Sequence, residues 1–189
     1  AAFPDLATAT NLAPFGNGTL GFTSAVSDAP GTQYYQAGSL SAINDENLDT
    51  RVDDWSNGND NGQGVSYVGV IWPSTRTEEI TALTLTLAAF YDGGWFGPNN
   101  SGPGSGGALG PEYLIEPVVQ VSTNGGAYWT TVASTSDYLT ALNGAGIGGG
   151  DNPNPNPLTA NFTLNPAVSN VNGLRIIGSN GGTADGNGF

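Results

Sequence analysis

The sequence predicts an all-β fold, a β-sandwich formed by residues 1–189 as a single domain. Three observations lead there. Apolar residues arrive in short runs of strand length, helical periodicity is scarce, and 30 Gly with 12 Pro supply turns between the runs. A chain of 189 residues can bury a real core without disulfide staples, and this one has no Cys to form them.

In chain order, the first clear strand is residues 65–72, rich in Val, Tyr, Ile and Trp. Residues 80–87 alternate Thr with apolar side chains, the pattern of a strand with one buried face. Residues 117–122 form a further strand, followed through Thr123-Asn124-Gly125-Gly126 by residues 127–132. Asn124-Gly125 supplies the positive φ of a tight hairpin turn, so these two strands are expected to pair antiparallel. Residues 158–164 and 173–178 complete the set. Three connections, 44–64, 92–110 and 144–157, exceed the usual ~4–6 residues. The second is too rich in Gly and Pro for a regular element, and the third ends in alternating Asn and Pro, which favours a stiff extended path. No internal repeat or interdomain linker is visible.

The formal charge is −13, with Arg51, Arg76 and Arg175 as the strong cations and no Lys. Phosphate backbones and anionic bilayers are held by clustered Lys and Arg, so no nucleic-acid partner is expected. No apolar stretch reaches the ~18 residues of a spanning helix, so no membrane insertion is expected. The start at Ala1-Ala2-Phe3 without Met fits a mature chain after signal removal, giving the expectation of an extracellular, secreted protein. Without His, Cys or Lys there is no imidazole base, thiolate or Schiff-base amine. A carboxylate pair such as Glu112 with Glu116 is what remains for glycoside hydrolysis, and the sequence is read as non-enzymatic.

Four segments resemble, in order, the discoidin or coagulation-factor type C domains and related galactose-binding-like carbohydrate-binding modules. Asn11-Leu12-Ala13 resembles the opening strand, and residues 42–51, ending in Thr50-Arg51, resemble an acidic turn, with the following Trp delayed to Trp55. Val68-Gly69-Val70-Ile71-Trp72 with residues 80–87 is similar to the central strands. Residues 119–126 with Trp129-Thr130-Thr131-Val132 match the hairpin, and residues 173–178 the penultimate strand. The resemblance implies a galactose-binding-like jelly roll, with long Gly/Pro/Asn-rich loops. The chain stops at Phe189 without the family's final strand motif, so a sheet edge completed by a neighbour or by further chain is an expectation.

The acidic loop at 45–60 offers the hard oxygen ligands that suit Ca²⁺. The resemblance places a structural calcium there, with side chains of Asp45 and Thr50 and main-chain oxygens of Ala42 and Asn47 as ligands. The alternative is a solvated acidic loop with Arg51 as counterion. Trp55, Trp95 and Phe96 lie on long loops, where aromatic faces could stack on sugars with help from Arg76, Asp92 and Asn99. The same rings could instead cap the core or bury against a neighbouring subunit. The function expected is a non-catalytic module recognising a glycan or cell surface. Its rival is a self-assembling structural subunit, a homo-oligomer or filament joined through loops and sheet edge.

Overall fold

The computed structural model describes residues 11–13, 18–23, 40–47, 65–73, 75–88, 94–97, 116–145 and 157–179. It is an all-β sandwich of two antiparallel sheets with one short helix among the described residues. The elements are β1 (Leu20–Thr23), β2 (Val65–Ile71), β3 (Glu78–Ala88), β4 (Val118–Ser122), β5 (Thr130–Thr131), β6 (Ser134–Ser136), α1 (Tyr138–Ala145), β7 (Pro157–Val171) and β8 (Gly173–Ser179), with a 3-10 turn at Leu40–Ile43. One sheet has the order β1-β2-β8-β4-β5 and the other β3-β7-β6. The last described strand, β8, is central: it pairs with β2 on one side and β4 on the other.

Alternation decides which side of each strand is buried. Val70, Val119, Val121 and Ile176 of the five-stranded sheet face Ile80, Leu158, Ala160, Phe162 and Leu164 of the other, and these residues form the core. Full burial of one such side chain is worth about 1.5–3 kcal/mol. The outer face of the three-stranded sheet is instead polar: Thr84 donates to Asn161, and the Thr86 and Thr159 hydroxyls pair across the strands. One end of the sandwich is plugged by aromatic residues, with Tyr138 of α1 packed between Phe96 and Phe162. The Tyr138 hydroxyl donates to the Phe96 carbonyl and accepts from the Phe96 N–H, which satisfies all three groups in the interior.

Asn172 is the pivot at which the chain passes from one sheet to the other. Its carbonyl accepts from Trp72 N–H, its own N–H donates to the Ser122 carbonyl, and its Oδ1 accepts from Gly125 N–H. One buried residue thus joins the ends of β2 and β4 and fixes the turn that follows β4.

Several expectations need correction. The opening strand is Leu20–Thr23; Asn11, Leu12 and Ala13 are irregular and are held by side chains instead. The hairpin pairs as expected, Gln120 with Thr131 and Val121 with Thr130. Its connection is longer than a two-residue turn, however, and the positive φ values fall at Gly125 and Gly126, 72° and 86°. The strand expected at 158–164 continues to Val171, because a bulge between the Thr163 and Val168 pairings lets it run past Pro166. Helix α1 was not expected. Its buried residues are Tyr138 and Leu142, one i,i+4 pair that is too short a pattern to register as periodicity.

Candidate functional site

The outer face of the five-stranded sheet carries a row of side chains assembled from all five strands. Phe22 pairs with Gly69, Gly69 with Arg175, Arg175 with Gln120 and Gln120 with Thr131. Directly paired residues share a face, so this register places the five side-chain positions in one line. Polar groups are chained along it: Gln120 Nε2 donates to Thr131 Oγ1 at 3.0 Å, and Arg175 Nε donates to Gln120 Oε1 at 2.8 Å.

The Arg175 guanidinium lies between two rings, 4.7 Å from the centroid of Tyr67 and 4.6 Å from that of Trp129. Phe22 packs against both rings, at 5.9 and 5.5 Å. Cation–π contacts of this kind contribute about 0.5–2 kcal/mol each, more as water is excluded. Burial lowers the Arg175 pKa and interaction with Tyr67 opposes that shift; an arginine remains charged at neutral pH all the same.

Two glycines make room for this arrangement. A Cβ at Gly69 would lie 2.7 Å from Arg175 Cβ and 2.8 Å from Phe22 Cζ, so these side chains close over a position that must stay bare. A Cβ at Gly173 would meet the Trp129 ring at 3.1 Å and Ser122 Cβ at 3.2 Å, so this position too must stay bare. Around the row lie Leu20 on β1, 60% exposed, Val118 on β4, 42% exposed, and Tyr128 beside Trp129, 78% exposed. These are the large exposed hydrophobic residues among those described, and all belong to this sheet or to the turn carrying Trp129.

The residues expected to contact a ligand lie elsewhere. Trp95 and Phe96 are 1% and 0% exposed and sit in the core, so neither ring offers a face to a sugar; of the alternatives for them, capping the core is what the structure has. Arg76 is paired with Glu78, Nε to Oε1 at 2.5 Å, on the connection from β2 to β3. Trp55, Asp92 and Asn99 lie outside the described residues, as does Glu112. Glu116 accepts from the Ser136 hydroxyl. The sequence alone does not mark Trp129, Tyr67 and Arg175 as neighbours on one face. The available signals were an isolated Gly inside the β-branched strand 65–71 and a lone Arg inside the apolar strand 173–179.

At the proposed calcium turn, Ala42 lies in the 3-10 turn and Asp45 and Asn47 just beyond it, while Thr50 lies outside the described residues. Asp45 Oδ1 accepts from Asn47 N–H at 2.9 Å, and Glu46 stands at φ 60° with its carboxylate receiving the Asn11 amide. Asn44 donates to the carbonyls of Ala13 and Thr19, tying this turn to the start of the chain. Its Oδ1 is buried without a hydrogen-bond partner. No group of three acidic or other metal-ligating side chains occurs among the described residues. The Asp45 carboxylate, the main-chain carbonyls and the Asn44 amide oxygen are all oxygen donors, the chemistry that a hard cation such as Ca²⁺ takes.

No protein-family model and no curated protein matches the chain. Among solved structures it is similar to the Streptococcus pneumoniae beta-galactosidase BgaA, at 18% identity and a TM-score of 0.47, covering 90% of this chain and 91% of that one.

Proposed function

We propose that the chain is a non-catalytic, extracellular binding module whose contact surface is the outer face of the five-stranded sheet, and that its ligand is a glycan. The observation that carries this reading is the line of Phe22, Arg175, Gln120 and Thr131, flanked by Tyr67 and Trp129 and bordered by exposed Leu20, Val118 and Tyr128. Saccharides present C–H faces and hydroxyls together; apolar rings receive the first, and amide, hydroxyl and guanidinium groups the second. The lack of His, Cys and Lys in the sequence favours binding over catalysis. A structural Ca²⁺ held by Asp45, Thr50 and the main-chain oxygens of Ala42 and Asn47 would fix the turn that anchors the start of the chain. It would supply charge neutralisation and rigidity, away from the ligand face.

A second reading is self-assembly into a homo-oligomer or filament. It is favoured by β3, an eleven-residue strand at the edge of its sheet among the described residues, which offers an unpaired ladder to another chain.

Affinity electrophoresis through gels containing soluble polysaccharides separates these readings. The wild type is expected to be retarded by at least one polysaccharide, and Tyr128→Ala and Trp129→Ala to lose about tenfold or more in affinity, roughly 1.4 kcal/mol. Tyr128 is exposed enough that its truncation leaves the fold intact. Absence of retardation across a broad panel, together with large assemblies in sedimentation, would favour the filament.

A further inference from the structure

We infer that the glycan bound by this face carries a carboxylate, as polysaccharides built from uronic acids do, and that Arg175 receives it. The inference rests on the binding reading above and names the chemistry of its ligand. In a chain of net charge −13 with three strong cations, Arg175 is displayed on a sheet face, where its Nε donates to the neutral Gln120 amide. Arg76 has its carboxylate in Glu78, whereas no carboxylate lies within ion-pair reach of Arg175 among the described residues. The five strands of this sheet contain no Asp or Glu at all, although the chain has 16 acidic residues. Five strands without a carboxylate around a cation that meets no carboxylate among the described residues make a face complementary to an anion.

The guanidinium is also held ready for one. Its carbon lies 4.7 Å from the Tyr67 ring and 4.6 Å from the Trp129 ring, and the bond from Nε to Gln120 restrains its rotation. Among the described residues the Nη groups donate no hydrogen bond, and the one buried, unpartnered side-chain polar atom is Asn44 Oδ1; the Nη edge therefore meets solvent. That edge is the fork that binds a carboxylate by two parallel hydrogen bonds, and its ordering entropy is already spent in the free protein. A uronic acid supplies the carboxylate and, on the same rigid ring, a C–H surface of the kind that aromatic and aliphatic side chains cover. An acidic peptide supplies the charge without that surface. Repulsion from acidic residues elsewhere is screened beyond ~8 Å at physiological ionic strength, so it does not cancel a direct contact.

The test compares polygalacturonate, alginate and hyaluronan with their methyl-esterified forms, by isothermal titration of the whole chain. At least one free acid is expected to bind, with its ester about tenfold or more weaker. Arg175→Gln should bring the acid down to the level of the ester, and Arg175→Lys should restore little, because an ammonium lacks the fork. Near-UV circular dichroism checks that both variants keep the wild-type packing, and Gln120→Ala, which frees the guanidinium without removing it, gives a milder loss. Equal affinity for acid and ester would overturn the carboxylate assignment and leave the glycan reading standing. No binding to these polymers or to neutral galactan, xylan and glucan would overturn both. Poly-glutamate binding as tightly as the best uronate, or a dimer that Arg175→Gln dissociates, would give the face to a protein partner and overturn the assignment.

Discussion

Gly69 shows how one missing side chain shapes the candidate site. An added Cβ would stand 2.4 Å from the Leu174 carbonyl oxygen, a backbone atom that cannot swing aside, besides meeting Arg175 and Phe22. Gly69→Ala must therefore push β2 from β8 at the centre of the sheet. Overpacking of this kind costs about 1–3 kcal/mol, and a urea midpoint lowered at unchanged m-value is the expected measurement. A loss below about 0.5 kcal/mol, within the range of neutral surface changes, would mean that the strands have more room than their register implies. The glycine itself was legible in the sequence as an oddity in a β-branched run. Its partners were not, because Phe22 and Arg175 lie 47 residues before it and 106 after it, by subtraction of their numbers, and no local pattern carries pairings of that range.

At the scale of elements, the strands whose alternation is strong were readable, and the joints between them were not. Residues 80–87 and the strand at 117–122 appear close to where alternation puts them, whereas the strand expected at 127–132 is reduced to Thr130–Thr131. Helix α1 escaped because what holds it is tertiary: Tyr138 reaches Phe96 across 42 residues, and Asp137 at its start faces β7. The Asp137 carbonyl accepts the helical bond from Ala141, while its carboxylate accepts from the Asn161 backbone N–H and amide. The Asn161 backbone bond, then the side-chain bond, lowers the Asp137 pKa below its ordinary 3.8. A depressed folded-state pKa adds stability above the unfolded value and loses it as pH falls through the folded one. Asp137→Asn should thus be less stable than wild type at pH 6, with the gap in melting temperature closing as pH drops below 3.8. Calorimetry over that range checks it; a gap independent of pH would assign the loss to geometry rather than to charge.

For the whole molecule, the question is what balances a net charge of −13 in a chain with three arginines. Self-repulsion on this scale favours solubility and works against compactness. A bound divalent cation would answer it locally, and the turn at Asn44–Asn47 concentrates oxygen donors where the start of the chain is pinned by Asn11, Asn44 and Thr19. A cation that binds the folded state alone stabilises it by RT ln(1 + [L]/Kd), about 2.7 kcal/mol at ~100-fold excess over Kd. For a domain of 150–250 residues each kcal/mol moves the melting temperature by about 2–4 °C. Millimolar Ca²⁺ should then raise the wild-type midpoint by several degrees over a chelator-treated sample. Asp45→Ala should abolish the rise and leave the chelated midpoint near that of wild type. General screening makes a different prediction, since Mg²⁺, or Na⁺ at matched ionic strength, would then do as well as Ca²⁺. An equal response to all three ions, or a Ca²⁺ response that survives Asp45→Ala, would remove calcium from the turn and leave the acidic surface a matter of solubility.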